Sequence, residues 1–370
     1  MKRIKELDSI RGLAALVIVF YHLWFQNIGI LGAAVDLFFV LSGYLITTII
    51  LANTFSERFL FSFYMRRGLR IWPIYYLTLV AMVLIYAYLP PCGNLNDLPY
   101  YLTFTQEVVH YRPSMEPSFP SAFRHTWSLA IEEQFYLIWP PLVWWLGSKR
   151  LPIASMLLVV VAVFARALDF SAFLLITHCD GLALGGLLAG ILAAHEGSAT
   201  GSRKYRLGMG ILGVVSTVAT IAVIALPGCL NSQWPGLVPD ALVRVIKPLC
   251  LNLVFFAVVG NIVNYAGLPR LGWLRDSRLV YLGSISYGIY LYHHIIFELF
   301  AYYARFYGWN DSVVIDFGKV ALSIALAALS WRFVEQPILA FKDRFSYREA
   351  TRAVLEIGGA VDDIRGVQAG

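Results

Sequence analysis

Residues 10–24 read IRGLAALVIVFYHLW, an apolar run interrupted only by Arg11 near its start and His22 near its end. Apolar runs of about 20 residues, the length that crosses a bilayer as an α-helix, recur along most of the 370-residue chain. Hydrophobic residues make up 59% of the sequence and charged residues only 14%, whereas soluble domains carry about 25% charged residues. The sequence therefore predicts an all-α, polytopic transmembrane helix bundle.

The apolar runs define ten candidate membrane spans. Their predicted limits are 12–28, 30–52, 71–89, 126–147, 151–167, 172–195, 207–226, 242–265, 279–303 and 313–334. The longest connection, residues 90–125, is rich in Pro and Tyr, and a long loop between packed helices is often functional. We assign residues 1–340 to the transmembrane domain and residues 341–370 to a short polar tail, part of which we expect to be disordered.

Basic residues predict the orientation of these spans. With the N-terminus in the cytoplasm, the segments on that side hold twenty Lys and Arg residues and the outer segments hold six. Basic loops favour the cytoplasmic side, so both termini are expected to be cytoplasmic. The net charge of +6 then reflects membrane topology, and no nucleic-acid partner is expected.

Ionisable residues inside the predicted spans are costly in hydrocarbon and require an explanation. Arg11 and His22 are eleven residues apart, which places them on one helix face and about 16 Å apart along the axis. His22 then lies in the outer half of the membrane. The other ionisable residues expected near this depth are Asp36, Glu132, Glu133, His178, Asp180, His293 and His294.

Two interpretations of this polar layer stay open. It can be a reaction chamber, in which neutral His22 takes a proton from a hydroxyl and a carboxylate, Glu132 or Asp36, orients the imidazole. It can also be a set of polar side chains that link helices by hydrogen bonds. The alignment of His22 with Arg11 favours the chamber. Glu132 and Glu133 point about 100° apart, so we expect only one of them to face it.

A basic cluster, FYMRRGLR at residues 63–70, lies on the cytoplasmic side between the second and third predicted spans. Arg66 and Arg70 are four residues apart and can share a helix face, with Arg67 beside them. Guanidinium groups bind phosphates through forked hydrogen bonds. The alternative is that the cluster only anchors the protein at the membrane surface. Together with Arg11 at the same face, it favours a phosphate-binding site.

Seven motifs occur in the order typical of a known family. They are RGLAALVIVFYH, VDLFFVLSGYLI, FYMRRGLRIWPIYY, HTWSLAIEEQFYLIWP, CDGLALGGLLA, SISYGIYLYHH and FVEQP. Over residues 5–340, nearly the whole chain, the sequence resembles the acyltransferase family 3 proteins. The resemblance implies a polytopic helical domain that takes an acyl group from coenzyme A. It also implies acceptors such as sugars of lipopolysaccharide, exopolysaccharide, peptidoglycan or Nod factors, or macrolide-type small molecules.

The resemblance also implies functional positions. The family element Arg-x10-His falls on Arg11 and His22, and R-x-x-R falls on Arg67 and Arg70. The element S-L-x-x-E-x-Q-F-Y falls on Ser128, Leu129, Glu132, Gln134, Phe135 and Tyr136. The element F-F-x-L-S-G-(F/Y) falls on Phe38, Phe39, Leu41, Ser42, Gly43 and Tyr44. The sequence departs from the family at His178, where Arg is usual, although Asp180 is retained. We do not recognise the SGNH esterase-like domain that some members carry. Either a separate partner enzyme is expected to finish the transfer, or the membrane domain acts alone.

The predicted function is that of a membrane O-acyltransferase, an enzyme for groups other than amino-acyl groups, in the bacterial inner membrane. The donor is acyl-CoA, with acetyl favoured and succinyl as the alternative. The acceptor is a sugar hydroxyl of an exopolysaccharide, a lipopolysaccharide, another glycan or a lipid-linked sugar. No permanently bound cofactor or metal is expected, since the four cysteines lack zinc-site spacing.

In this hypothesis His22 is the general base, and Glu132 or Asp36 fixes its tautomer. Arg11 holds the pyrophosphate or the pantetheine entrance, and the CoA phosphates bind Arg66, Arg67 and Arg70. A ping-pong route through acylated Ser42 or His22 is the alternative. The residues that we expect to contact the acceptor are Glu133, Asp180, Tyr290 and His294.

Two other function classes compete with the acyltransferase. A proton-coupled transporter also carries buried His and acidic residues, but it predicts internal repeats, which we do not find, and leaves the basic cluster unexplained. A glycan polymerase or ligase predicts key arginines on outer loops, where this sequence has chiefly Arg112 and Arg124. Release of the CoA thiol would distinguish the acyltransferase from both.

Overall fold

The computed structural model describes residues 3–56, 58–88, 95–111, 121–195, 199–233, 238–309 and 312–347, and every regular element in these ranges is helical. The α-helices are, in chain order, α1 Lys5–Trp24, α2 Gly29–Gly32, α3 Ala34–Asn53, α4 Phe59–Tyr88, α5 Leu98–Leu102, α6 Trp127–Leu146, α7 Leu151–Ala167, α8 Leu175–Ala194, α9 Ala199–Gln233, α10 Asp240–Tyr265, α11 Ser277–Tyr307, α12 Val313–Ser330 and α13 Gln336–Ala340. Shorter 3-10 or π turns are Gln106–Tyr111, Ser121–Thr126, Pro269–Arg275, Trp331–Glu335 and Phe341–Phe345.

The long helices confirm the predicted all-α polytopic bundle. Each of the ten predicted spans overlaps one helix of 17 residues or more. Among the described residues, seven helical segments are long and apolar enough to cross a membrane, and α7 is a shorter apolar helix. The chain is therefore a multi-pass membrane protein.

Helix α4 begins at Phe59, well before the predicted limit of 71. Phe59 and Phe63 are one helical turn apart and both are buried, so this aromatic face continues the helix toward its N-terminus. The basic cluster that we placed in a connecting segment therefore lies within α4. This difference matters for the site because a helix fixes the relative directions of the arginine side chains.

The connection at residues 90–125 and the tail at 341–370 are only partly described. The connection contains α5 and two 3-10 turns, whereas residues 89–94 and 112–120 lie outside the described ranges. The 3-10 turn Phe341–Phe345 packs against α4. Residues 348–370, where we expect partial disorder, also lie outside the described ranges.

Helices α1 and α11 come into backbone contact because glycines face each other. A Cβ atom built on Gly283 would lie 1.9 Å from the carbonyl oxygen of Asp8, and one on Gly12 would lie 2.7 Å from the Gly283 nitrogen. Ten residues further along each helix, the rings of His22 and His293 also meet. The two helices therefore run parallel and in register over this length.

Helices α3 and α8 make a second glycine contact. A Cβ atom on Gly43 would lie 1.9 Å from the carbonyl oxygen of Leu182, and one on Gly185 would lie 2.1 Å from that of Val40. Small residues permit this close approach of two backbones. The contact fixes α3, and with it Ser42, which precedes Gly43.

Aromatic side chains hold the long connection against α4. The Tyr75 ring on α4 lies 4.5 Å from Phe104 and 5.6 Å from Phe123, centroid to centroid. The Tyr75 hydroxyl also donates a 2.9 Å hydrogen bond to the carbonyl oxygen of Tyr101. These contacts fix the segment that leads into α6 and thereby place His125 inside the protein.

Candidate active site

A cavity of about 790 Å³ lies between α1, α3, α4, α6, α11 and the segment that follows α12. Its wall on α1 extends from Leu7 to Ile18, which is about 16 Å of helix. Lys342 and Tyr347 line it together with Arg3, beside the N-terminus of α1. Because α1 and α11 are parallel and in register, Tyr290 of the cavity wall lies toward the Ile18 end.

Three guanidinium groups line this cavity without an ion pair. Arg11, Arg67 and Arg70 are half-buried, and none has a carboxylate within ion-pairing distance among the described residues. The Arg67 guanidinium lies 5.4 Å from the ring centroid of Tyr136. The carboxylates of Asp8 and Glu132 also line the cavity and offset part of this positive charge without forming an ion pair with it. Guanidinium groups that face a cavity without a direct ion pair are suited to an anionic ligand.

Arg66 is also part of the cavity wall, but it has partners. Its Nη1 donates to the carbonyl oxygens of Lys342 and Phe345, at 3.4 and 3.2 Å, and its guanidinium lies 5.2 Å from the Tyr347 ring. Arg66 therefore attaches the segment after α13 to α4. Among the four arginines that we predicted to bind phosphate, Arg66 therefore has the fewest hydrogen-bond donors left for a ligand.

Ser42, Glu132 and Tyr136 form a hydrogen-bonded triangle on the cavity wall. The Ser42 hydroxyl donates to Glu132 Oε1 at 3.0 Å, and the Tyr136 hydroxyl lies 2.8 Å from Glu132 Oε2 and 3.0 Å from Ser42 Oγ. Glu132 and Tyr136 are one turn apart on α6, which lets both reach Ser42 on α3. We expected Glu132 or Asp36 to orient His22, and the structure instead pairs Glu132 with these hydroxyls.

Glu133 faces away from this triangle. Its Oε2 accepts a 2.8 Å hydrogen bond from the indole nitrogen of Trp72 on α4. Within the described residues, only Glu132 of the two neighbouring glutamates lines the cavity. The divergence follows from the 100° step of the helix, and it directs Glu133 away from the cavity.

Four imidazoles cluster next to the Ile18 end of the cavity. His22 Nδ1 lies 3.1 Å from His293 Nε2. The His294 ring centroid lies 5.4 Å from that of His22, and the His125 centroid lies 5.0 Å from that of His293 and 5.2 Å from that of His294. No group of three His, Cys, Asp or Glu residues in the described ranges could hold a metal ion.

Tyr290 connects this histidine cluster with the cavity. Its hydroxyl lies 2.7 Å from Ser128 Oγ and donates to the carbonyl oxygen of His125. Its own carbonyl oxygen lies 2.9 Å from His125 Nε2. Ser128 and Tyr290 line the cavity, whereas the four imidazoles do not appear on the wall formed by the described residues. The residues that we expected in a single chamber therefore fall into a cavity wall and a packed histidine cluster beside it.

His125 is a residue that sequence reasoning missed. It is buried in the 3-10 turn before α6, and burial, followed by the nearby imidazoles of His293 and His294, lowers its pKa well below the usual value. The one available signal was its position at the head of the HTWSLAIEEQFYLIWP motif. Its segment lacks a helical period, so its direction could not be deduced.

Asp180 and Asp36 belong to a separate group. Arg166 on α7 contacts Asp180 Oδ2 at 2.7 Å and the carbonyl oxygen of Thr177 at 2.8 Å, and this ion pair is almost fully buried. The charged neighbours of Asp36 are Asp180, Arg166 and Lys247. The expected contact between Asp36 and His22 is therefore replaced by this group, and Asp180 is paired with Arg166.

His178 occupies an aromatic environment beside this group. Its ring centroid lies 5.3 Å from that of Trp127 and 5.8 Å from that of Phe39. The guanidinium that pairs with Asp180 thus comes from Arg166 on the preceding helix, although the family pattern suggested an Arg at 178. Helix α7 supplies the positive charge that position 178 lacks.

The matched family is the acyltransferase domain, whose model covers residues 4–332 of the chain. The protein belongs to this family. Membership confirms the resemblance to the acyltransferase family 3 proteins that the sequence motifs showed. No solved structure gives a significant match.

Two relatives illustrate the similarity. The peptidoglycan O-acetyltransferase OatA of Listeria monocytogenes is 28% identical over 366 residues, which cover 91% of this chain and 56% of the relative. The O-acetyltransferase OatA of Staphylococcus aureus is 26% identical over 362 residues, which cover 90% of this chain and 56% of the relative. The chain thus spans about half the length of these curated relatives.

The cavity and the histidine cluster offer complementary chemistry. The cavity can hold an anion at Arg11, Arg67 and Arg70, and it continues past a serine hydroxyl that is hydrogen-bonded to a carboxylate. The neighbouring histidine cluster offers imidazoles, and a neutral imidazole can accept a proton from a hydroxyl. Ser128 and Tyr290 lie where the cavity wall meets the histidine cluster.

Proposed function

We propose that this acyltransferase moves an acetyl group from acetyl-CoA, which enters from the cytoplasm, to a sugar hydroxyl of an envelope glycan. Succinyl-CoA is the alternative donor with the same CoA portion. The names of the relatives direct the first test to peptidoglycan, ahead of the exopolysaccharide and lipopolysaccharide sugars that the sequence suggested. The proposed location is the bacterial cytoplasmic membrane, where the cytoplasmic face has access to CoA thioesters.

The observation that carries this proposal is the set of guanidinium groups of Arg11, Arg67 and Arg70 on the cavity wall, which form no ion pair with any described residue. CoA carries a pyrophosphate and a 3′-phosphate, and guanidinium groups bind phosphates with two parallel hydrogen bonds. A hydrogen bond to a charged group contributes about 1.5–3 kcal/mol. A rival transporter or glycan polymerase gives no reason for three such groups to face one cavity.

The length of the cavity supports a bound pantetheine arm. Between Leu7 and Ile18 the wall of α1 extends over about 16 Å, which is comparable with the reach of that arm in its extended form. A donor whose phosphates contact the arginines would therefore carry its thioester toward Ser42 and Tyr290. Holding the two reactants in one orientation lowers the entropic cost of the transfer.

In direct transfer, His22 is the general base. It removes the proton from the acceptor hydroxyl while the hydroxyl oxygen attacks the carbonyl carbon of the thioester. The carbon–sulfur bond then breaks, and the CoA thiolate takes the proton from His22. The products are the acetylated sugar and the CoA thiol, and His22 is neutral again.

The contact between Ser42 and Glu132 supports a second route. Glu132 would take the proton of Ser42, whose oxygen attacks the thioester and forms an acyl-serine as the CoA thiol leaves. An acceptor hydroxyl would then attack the acyl-serine and return the proton to Ser42. Each route releases one CoA thiol for each acetyl group transferred, and only the second passes through a labelled protein.

The test compares acetyl transfer by membranes that contain the wild type, His22→Ala or the control His195→Ala. His195 is exposed at the end of α8, with its ring nitrogen 2.8 Å from the carbonyl oxygen of Ile191. Radiolabelled acetyl-CoA and purified peptidoglycan are supplied, and CoA thiol release is measured in parallel. We expect His22→Ala to lower transfer by about 10²–10⁴-fold, the usual contribution of a general base.

The outcomes separate the base assignment from the function. Equal labelling by wild type and His22→Ala, at equal protein abundance, would show that His22 is structural. No release of thiol by wild type with acetyl-CoA or succinyl-CoA, with any of the three glycans, would contradict the proposed function. Denaturing electrophoresis of the same samples distinguishes the routes, since a label that stays on the protein identifies an acyl-enzyme.

A further inference from the structure

The contact between His22 and His293 determines which nitrogen of His22 is free. His293 Nδ1 lies 3.1 Å from the carbonyl oxygen of Ile289 and 2.7 Å from that of Tyr290. Carbonyl oxygens can only accept hydrogen bonds, so His293 Nδ1 must carry the hydrogen that both contacts require. In a neutral imidazole the other nitrogen is then an acceptor, and Nε2 of His293 presents its lone pair.

This lone pair points at His22. His293 Nε2 is 3.1 Å from His22 Nδ1, which is a hydrogen-bonding distance for two ring nitrogens. An acceptor on His293 requires a donor on His22, so Nδ1 of His22 carries its hydrogen. The remaining nitrogen of His22, Nε2, is therefore unprotonated, which is the form that a general base needs.

We propose that His293 is the positioning residue that holds His22 in the tautomer with Nε2 free. This inference rests on the proposed function, in which His22 takes the proton of the acceptor hydroxyl. It replaces the carboxylate that we expected from the sequence, since Glu132 is hydrogen-bonded to Ser42 and Tyr136. The glycine contact between α1 and α11 fixes the distance between the two rings.

The surroundings of the pair agree with this role. Among the described residues, the rings next to His293 besides that of His22 belong to His125, Tyr290, His294 and Phe297. Neither His22 nor His293 has a hydrogen bond to a carboxylate within the described residues. When His22 Nε2 takes a proton, its Nδ1–H remains directed at a neutral acceptor. His293 thus orients His22 in both protonation states without itself contacting the acceptor.

Two amide substitutions test this assignment because they retain different nitrogen positions of the ring. The amide of Gln overlaps the Nε2 position of His, whereas the shorter Asn overlaps the Nδ1 position. His293→Gln therefore keeps an acceptor for His22, and His293→Asn removes it while its amide can still donate to the Ile289 carbonyl. We expect kcat to fall by about 10²–10⁴-fold in His293→Asn, the contribution of a general base, because a base in the wrong tautomer loses its function.

The expected pattern is specific to a positioning role. The kcat of His293→Gln should stay within about tenfold of the wild-type value, because the amide reproduces the acceptor position only approximately. Neither variant should change KM for acetyl-CoA, because its phosphates bind away from His293. His195→Asn is the control, because its Nδ1 makes the same contact with the carbonyl four residues earlier. Thermal melting in detergent establishes that both variants are folded.

Equal loss of activity in His293→Gln and His293→Asn would overturn the proposal, since the acceptor position would then be irrelevant. Full activity in both would also overturn it. Each result would leave the acyltransferase function standing, because that function is tested by thiol release and by His22→Ala. If His22→Ala itself keeps full activity, the base assignment fails first, and the failure is distinguishable from that of His293.

Discussion

The substitution Gly283→Ala tests whether the contact between α1 and α11 controls activity. The added methyl group would lie 1.9 Å from the Asp8 carbonyl oxygen, which belongs to rigid helix backbone. An ordinary van der Waals contact begins at 3.4 Å, so the two backbones must separate by about 1.5 Å at this point. Overpacking of this kind costs about 1–3 kcal/mol of stability.

The same separation acts on the histidine pair. His22 and His293 lie ten residues beyond the glycine contact, which is about 15 Å along each helix. If α1 moves as a rigid body, the 3.1 Å distance between Nδ1 and Nε2 increases beyond hydrogen-bonding range. A displacement of about 1 Å at a reacting group can cost 10²-fold in rate, and we expect a loss of that order.

The control is Gly318→Ala on α12, because a Cβ atom at Gly318 meets nothing within 4 Å. The acetyl transfer rate and the melting temperature of the detergent-extracted protein are measured for both variants. Gly283→Ala should be slower and less stable, whereas Gly318→Ala should keep the wild-type rate and be at least as stable, since Ala favours a helix over Gly by about 0.5–1 kcal/mol. Equal rates and equal melting temperatures for the two variants would refute the reasoning, since α1 and α11 would then tolerate separation.

Two further predictions concern charges. Arg67→Gln should raise KM for acetyl-CoA by about 10–100-fold, because it removes a hydrogen bond to a charged group. Arg344 is exposed, so Arg344→Gln should leave KM unchanged. Initial rates at varied acetyl-CoA concentrations test this, and equal KM values for the two variants would contradict it. Asp180→Asn should destabilise the fold by about 3–5 kcal/mol, because Arg166 is left buried without its partner. The double variant Arg166→Met/Asp180→Leu should regain most of that loss in thermal melting, and no recovery would contradict the prediction.

Sequence patterns identified the helices because hydrophobic length is a property of each segment alone. They failed at the start of α4, where the aromatic residues before the arginines, FLFSFY at 59–64, do not form a 20-residue apolar run. Their helical character depends on burial of Phe59 and Phe63 against other parts of the fold. Tertiary packing thus extended an element that local hydropathy would end.

The sequence predicted how deep each site residue lies in the membrane, but it did not predict which way each side chain points. Span limits placed His22, Asp36 and Glu132 at similar heights, and a single chamber was the natural inference. Which of them touch depends on the rotation of each helix about its axis, and glycine contacts between distant segments set that rotation. Asp36 consequently faces the Arg166–Asp180 pair, and Glu132 faces Ser42.

The separation of the cavity from the histidine cluster bears on how an acyltransferase avoids hydrolysing its donor. A thioester in a wet cavity next to an active base would be open to attack by water, and enzymes limit such side reactions by excluding water from the reacting groups. Here the hydroxyl of Tyr290, bonded to Ser128 and to the carbonyl of His125, lies between the cavity and the imidazoles. On the proposed function, the acceptor hydroxyl and His22 meet the thioester only past this contact, so the Tyr290 side chain limits the direct access of the base to the cavity that holds the donor.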